Sequence, residues 1–184
     1  MKFTPLHLEG AYLVELNILT DNRGSFARTF CKEEFRKIGH TKEFVQANQS
    51  WNTTKGTVRG MHFQIPPFKE VKLIRCIKGR VFDVIVDIRK ESPTFLQHFS
   101  VELSEENKNM IYVPEGFAHG FYVMSEFAEF VYKCTDYYHP QSEVSLLWDD
   151  PEINIDWPLV NRVPPKLSAK DLNGLSLDQA PKFG

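Results

Sequence analysis

The segment Thr57–Gln64, TVRGMHFQ, sets an arginine and a histidine on either side of a glycine. If Met61–Gln64 is extended, His62 and Gln64 share one face of a strand. An imidazole facing an enclosed space serves as a base, as a metal ligand, or as a core histidine satisfied by a carbonyl. A second segment, Pro114–His119 (PEGFAH), is a turn that delivers another histidine to the start of a strand. Lys72 alternates with Ile74 and Cys76, so its ammonium either enters an apolar interior or lies in solvent on an edge strand. Tyr132 falls on one face with Phe130 and Cys134, as a core tyrosine with a bonded hydroxyl also would. Asp171 closes Ser168–Asp171 (SAKD), where a carboxylate ordinarily serves the start of a helix. Each of these has an ordinary structural explanation when taken singly.

The elements that must position these groups read as β. Residues 71–88, VKLIRCIKGRVFDVIVDI, are two β-rich runs around Lys78-Gly79, which predicts a hairpin turn. In the second run Phe82, Val84, Val86 and Ile88 fall on one face, and Val81, Asp83, Ile85 and Asp87 on the other. Further runs at 97–103, 109–113, 119–124 and 128–135 follow at the short spacing of an antiparallel sandwich or barrel. Helical signals are confined to Cys31–Gly39, one capped turn at Ser104–Asn107, and a short C-terminal helical extension within about 165–184. One domain over 1–184 is the expectation from length.

Composition narrows the partners. With 22 Lys+Arg against 24 Asp+Glu, the net charge of −2 offers no basic field for nucleic acid or an anionic membrane. No apolar run approaches a membrane span, and MKFTPLHLEGAYLVEL has no signal-peptide core. Cys31, Cys76 and Cys134 are odd in number and widely spaced, which suggests a reduced, cytoplasmic chain without a disulfide framework.

Pro114-x-Gly116-x-x-His119 resembles the second half-motif of the cupin barrels, whose metal-binding members carry His-x-His followed by Glu in the first. Here that stretch is His62-Phe63-Gln64, with Lys69 where a carboxylate would help. Two histidines without a carboxylate are a poor ligand set for a divalent metal, so metal-free use of the barrel is expected. TVRGMHFQ, EVKLIRCIKGRVFDVIVDIRKESPTF, LSEENK, YVPEGFAHGFYVMSE, VYKCTDYYHPQSE and LWDDPEINIDWP then occur in one order from about Gly10 to Asp171. In this the chain resembles the RmlC-like nucleotide-sugar epimerases, of the dTDP-4-dehydrorhamnose 3,5-epimerase type.

That resemblance implies an all-β, cupin-type jelly roll, a homodimer, no metal and no nicotinamide or other cofactor. It implies an isomerase acting on a 4-keto-6-deoxy sugar carried by a nucleoside diphosphate. The ketone acidifies the hydrogens on C3 and C5, and epimerisation requires a base on one face, an acid on the other, and a donor at the enolate oxygen. By resemblance His62 is the base, Asp171 its orienting carboxylate, Lys72 the cation at the ketone and Tyr132 the opposing proton donor. Arg59 and His119 match the sugar and diphosphate end, Tyr138 the stacking aromatic, Glu143 a nearby anchor, and Arg23 a residue that reaches the nucleotide across the dimer. Gln46, Asn48 and Lys170 complete the implied binding set.

Some positions depart from the pattern of the dTDP-linked members. Ser145 stands where Gly is common, Asp149 where Asn is usual, and Phe63 where Tyr is frequent. Arg28 replaces a Glu. Thymine presents an N3–H donor, and arginine has no acceptor, whereas it can donate two bonds to the O6 and N7 edge of guanine. Arg28 therefore leans the choice between GDP and dTDP towards GDP, the alternative being that it turns to solvent or to a phosphate and leaves the base to Tyr138 and its neighbours. A sugar ketoisomerase, a metal-dependent cupin enzyme and a sugar-nucleotide binding module are the competing readings. The metal reading leaves Gln64 and Lys72 without a purpose.

Overall fold

Strands such as the one over residues 81–88 carry apolar side chains on both faces, and they are stable only when both faces are covered. The computed structural model describes residues 1–181 and 183, and it covers these strands with two antiparallel sheets packed together. The first part of the chain forms β1 (Lys2–Pro5), β2 (Tyr12–Glu15), β3 (Ile18–Asp21), β4 (Gly24–Ala27), helix α1 (Lys32–Arg36) and β5 (Gln46–Asn52). The middle forms β6 (Val58–Gln64), β7 (Lys72–Lys78), β8 (Arg80–Asp87) and β9 (His98–Ser104). Then come β10 (Met110–Val113), β11 (Phe117–Val123), β12 (Ala128–Cys134), β13 (Glu143–Ser145) and helix α2 (Ala169–Leu172). One sheet runs β1-β2-β10-β7-β12-β5, the other β13-β6-β11-β8-β9, and β3-β4 pair only with each other. This is an all-β jelly roll of the cupin type with a few short helices.

The expected hairpin at Lys78-Gly79 does not form. β7 lies between β10 and β12 in one sheet, and β8 lies between β11 and β9 in the other. Gly79 is the corner where the chain crosses between sheets. Its φ is +69°, and a Cβ there would sit 2.0 Å from the carbonyl oxygen of Phe127. Alternation specifies which residues share a face, but not which strand lies alongside.

The face assignment in β8 does hold. Val81 and Ile85 turn inward to meet Ile74, Cys76, Phe121 and Phe130 between the sheets. Val84, Val86 and Ile88 turn outward, where Ile153, Trp157 and Phe183 of the C-terminal segment cover them. That covering role explains why, among the described residues of 165–184, only Ala169–Leu172 is α-helical. Three isolated bridges, Thr57 to Lys166, Leu146 to Leu175 and Arg89 to Phe183, tie the segment to the strands.

The Cys31–Gly39 signal becomes α1 and a turn, with Phe35 fully buried against Phe3, Phe30 and Tyr112 on the outer face of the six-stranded sheet. Truncating a buried Phe of this kind costs about 3–5 kcal/mol. Ser104–Asn107 forms the capped turn: Asn107 N donates to Ser104 Oγ (3.1 Å), and Ser104 N donates to Asn107 Oδ1 (3.2 Å). Among the described residues no helix is long and apolar enough to cross a membrane.

Candidate active site

The two histidine motifs lie on adjacent antiparallel strands, with His62 of β6 directly opposite His119 of β11. Arg59 stands opposite Phe121, so β6 carries one extra residue between these pairings, a bulge at Gly60-Met61. Strict alternation would put Arg59 and His62 on opposite faces. The bulge brings both to one cavity. Glycine is required on each strand here. A Cβ on Gly60 would lie 2.5 Å from Gly120 Cα, and one on Gly120 would lie 2.6 Å from Met61 Sδ.

The cavity occupies about 410 Å³ between the sheets, and His62, Lys72, His119 and Tyr132 all line it. The His62 imidazole is 2.5 Å through Nε2 from Asp171 Oδ1. Asp171 arrives on α2, where Ser168 caps the helix by accepting from Asp171 N (3.1 Å). The Ser168 hydroxyl also donates to Asp171 Oδ2 (2.9 Å), and Ser145 Oγ donates to Oδ1 (3.2 Å). Burial alone would raise the Asp171 pKa. The hydrogen bond and charge of His62, with the two serines, outweigh it and hold the carboxyl below its ordinary value. An imidazole held by a carboxylate in this way can act as an oriented base.

Lys72 and Tyr132 reach the cavity from neighbouring strands β7 and β12, with the Lys72 ammonium 5.9 Å from the centre of the Tyr132 ring. Lys72 Nζ lies 3.2 Å from Glu70 Oε1. Burial would lower the Lys72 pKa, but the charge of Glu70 leads a set of neighbours that raise it, so the group is an ammonium at neutral pH. Tyr132 is also raised, chiefly by burial, and is a protonated phenol there. Cys134, beside them, is pushed up by burial and is no nucleophile.

His119 has its own carboxylate. Its Nε2 is 2.8 Å from Oδ2 of Asp83, which is wholly buried on β8. Burial raises the Asp83 pKa, and His119 and Lys72 offset this only in part. Asp83, Glu70, Ser145 and Ser168 were not recognised in the sequence as site residues. Asp83 did carry a signal, as a charged residue between Val81 and Ile85 on an inward face, and Ser168 stands in the Ser-x-x-Asp pattern of a capped helix start.

At the mouth, Gln46 and Asn48 project from β5, with Asn48 opposite Tyr132 in the β5–β12 pairing. Arg59 donates through Nε to Asn52 Oδ1 (2.8 Å), which leaves its terminal amino groups to bind an anion. The Tyr138 hydroxyl donates to Glu143 Oε2 (2.7 Å), which Lys170 Nζ also meets at 2.6 Å. Arg23 and Arg28 lie outside the cavity of their own chain. Arg23 pairs with Asp21 in the β3–β4 hairpin, and exposed Arg28 donates to Glu34 (3.2 Å).

The first-half-motif position is not a metal ligand set. Gln64 donates to the carbonyls of Phe68 and Tyr137 and accepts from His139 N, while both histidines are held by carboxylates beside an ammonium. Such a set does not fit a divalent metal.

A family model described as dTDP-4-dehydrorhamnose 3,5-epimerase matches residues 5–179. The dTDP-4-dehydrorhamnose 3,5-epimerase of Shigella flexneri is 48% identical over 172 residues, which is 93% of this chain and 93% of that protein. The enzyme of the same name from Salmonella typhimurium is 50% identical over 169 residues, 91% of each chain. The crystal structure of dTDP-6-deoxy-D-glucose-3,5-epimerase from Legionella pneumophila, in complex with dTDP-4-keto-L-rhamnose, superposes with a TM-score of 0.92. It shares 43% identity and covers 98% of this chain and 94% of its own. The guanine expectation finds no support. Arg28 faces Glu34 rather than the cavity, and these relatives are named for dTDP-linked sugars.

Proposed function

This chain belongs to the dTDP-4-dehydrorhamnose 3,5-epimerase family, and we propose that it inverts C3 and C5 of a dTDP-linked 4-keto-6-deoxy hexose without a cofactor. The observation that carries this reading is the convergence of a carboxylate-held imidazole, an ammonium and a protonated phenol on one cavity. Asp171 accepts the Nε2–H of His62, which leaves the Nδ1 lone pair to take a proton from the carbon beside the ketone. The C–H electron pair moves into the ring and the carbonyl pair onto O4, giving an enolate that the Lys72 ammonium stabilises. Tyr132 returns a proton to the carbon from the opposite face, the carbonyl re-forms, and the centre is inverted. The imidazolium and tyrosinate left behind exchange protons with water to restore the starting state.

In the same reading Arg59 takes the diphosphate, and His119 the sugar. Gln46, Asn48, Tyr138, Glu143 and Lys170 hold the nucleoside end. The protein works as a homodimer, and the support for that is the β3–β4 hairpin, which among the described residues pairs with no other strand. It exposes Leu19 (61%) and Phe26 (70%), and a second copy would cover them while receiving Arg23 in its cavity. The free thiols of Cys31, Cys76 and Cys134 suit a cytoplasmic enzyme.

The test is turnover of a dTDP-4-keto-6-deoxy hexose in deuterium oxide, followed by NMR of the product. Deuterium at both C3 and C5 with inverted configuration is the expected result. No exchange at either carbon would overturn the reading, and exchange at C3 alone would make the enzyme a monoepimerase. Light scattering should return twice the monomer mass.

A further inference from the structure

Asp83 is the most deeply buried charged group beside the cavity, and the mechanism above makes no use of it. It lies on β8 one strand away from His119, on the inward face shared by Val81 and Ile85. One carboxylate oxygen meets His119 Nε2 at 2.8 Å, and the other, Oδ1, is buried with no hydrogen-bond partner among the described residues. A carboxylate kept in that condition is costly, and an apolar residue of similar size would pack there at less expense in stability.

The geometry points to Asp83 as a positioning residue that fixes the tautomer of His119, so that the Nδ1 lone pair of His119 accepts a hydrogen bond from a sugar hydroxyl. This rests on the nucleotide-sugar reading and goes beyond it, because it assigns both a residue and a direction of hydrogen bonding. The charged and titratable groups near the pair are Lys72 and Cys76 beside Asp83, and Arg59, His62, Glu70, Tyr132, Cys134 and Glu143 along the cavity. Oδ2 of Asp83 faces His119 Nε2, and the nearby Lys72 ammonium offsets part of the burial that raises the Asp83 pKa. Asp83 then holds the proton on Nε2 and leaves Nδ1 bare, as in other imidazole–carboxylate pairs.

A bare Nδ1 answers a shortage. Lys72 and Arg59 only donate hydrogen bonds, and sugar hydroxyls must donate as well as accept. Of the other acceptors, His62 Nδ1 serves as the base, and several side-chain oxygens at the cavity already hold donors. Gln46 Oε1 takes Tyr138 N, Asn48 Oδ1 takes Gln46, Glu70 takes Lys72, and Glu143 takes Tyr138 and Lys170.

Two measurements on the full-length protein test this, and neither needs turnover. The first is nitrogen NMR of ¹⁵N-histidine-labelled protein at neutral pH, with the His119 signals assigned by their loss in His119→Gln. A neutral ring protonated on Nε2 is expected. An imidazolium, or a proton on Nδ1, would overturn the proposal whatever the Asp83 variant does. The second is calorimetric binding of dTDP and of dTDP-glucose to wild type and Asp83→Asn, since Asn can offer Nε2 a proton and so release the tautomer. Affinity for dTDP-glucose should fall about tenfold, the scale of one hydrogen bond, while dTDP binding stays unchanged. Equal weakening of both ligands would mark Asp83 as merely structural, and no change in either would remove it from substrate binding. If the wild type exchanged no hydrogen on the keto sugar, the epimerase reading would fall while these two results still decided Asp83.

Discussion

Two imidazole–carboxylate pairs line one cavity and are built in opposite ways. His62 is one-quarter exposed, and its partner Asp171, 109 residues away in sequence, receives two further hydrogen bonds, from Ser145 and Ser168, and donates one through its own N–H to Ser168 Oγ. His119 is nine-tenths buried, and Asp83 gives it one oxygen and leaves the other without a partner among the described residues. The carboxyl pKa values move in opposite directions, Asp171 down because its donors outweigh burial and Asp83 up because burial outweighs its donors. A proton-transferring imidazole needs a partner that stays anionic while the ring becomes a cation. A binding imidazole needs only a fixed tautomer. The difference in solvation and donor count fits the division of labour proposed for the two histidines.

The sharpest way to break the comparison is to remove each carboxylate's charge. Asp171→Asn should lower kcat by about 10²–10⁴-fold and leave dTDP affinity intact, because the amide no longer holds His62 in the reactive tautomer. Asp83→Asn should lower turnover far less at saturating substrate. Equal losses in kcat for the two variants would erase the distinction.

Next in size is Tyr132→Phe. It removes the proton donor but not the base, so deuterium exchange should continue while inverted product falls by about 10²-fold or more. Loss of exchange and inversion together would place Tyr132 on the abstraction side.

A smaller effect concerns stability. The Asp171 pKa is depressed on folding, so its contribution is full above the unfolded value near pH 4 and is lost as pH falls through the folded value. The Asp83 pKa is raised, so its charged form opposes folding above that raised value, and the penalty disappears below the unfolded one. At pH 7 Asp171→Asn should therefore lower Tm more than Asp83→Asn, and the gap should narrow on acidification. Differential scanning calorimetry across that range reads both signs.

The smallest expected effect is that of Ser145→Ala. Ser145 stands opposite His62 in the β6–β13 pairing and donates to the same Asp171 oxygen that His62 uses. Removing it concentrates more charge on that oxygen, and the acidic limb of kcat/KM should move to higher pH by less than about one unit. A shift the other way would show that the serine merely packs there.

Much of this was legible in the sequence because it depends on local periodicity. Alternation put Lys72 with Ile74 and Cys76, and Tyr132 with Phe130 and Cys134, and both sets do face inward. The same alternation split Val81, Asp83 and Ile85 from Phe82, Val84 and Val86. Reading Arg28 as a base-selecting residue went astray because a charge replacement says nothing about which way the side chain turns. In the fold its partner is Glu34, which also binds the N-terminal ammonium.

By itself, then, the sequence left β1–β5 and β13 unmarked but determined the strands from β7 to β12, which of their residues share a face, the glycines beside both histidines and the residue types able to exchange a proton. Each of these follows from neighbours along the chain, where side-chain direction repeats every two residues. Only the tertiary structure decided that β7 and β8 separate into different sheets, since strand pairing is a long-range choice among many similar edges. It also decided that a bulge turns Arg59 to the same side as His62. Asp83 and Asp171 reach different histidines for the same reason. A carboxylate's partner is set by the sheet that buries it, and that burial decides whether its charge is held in place by donors or left almost alone.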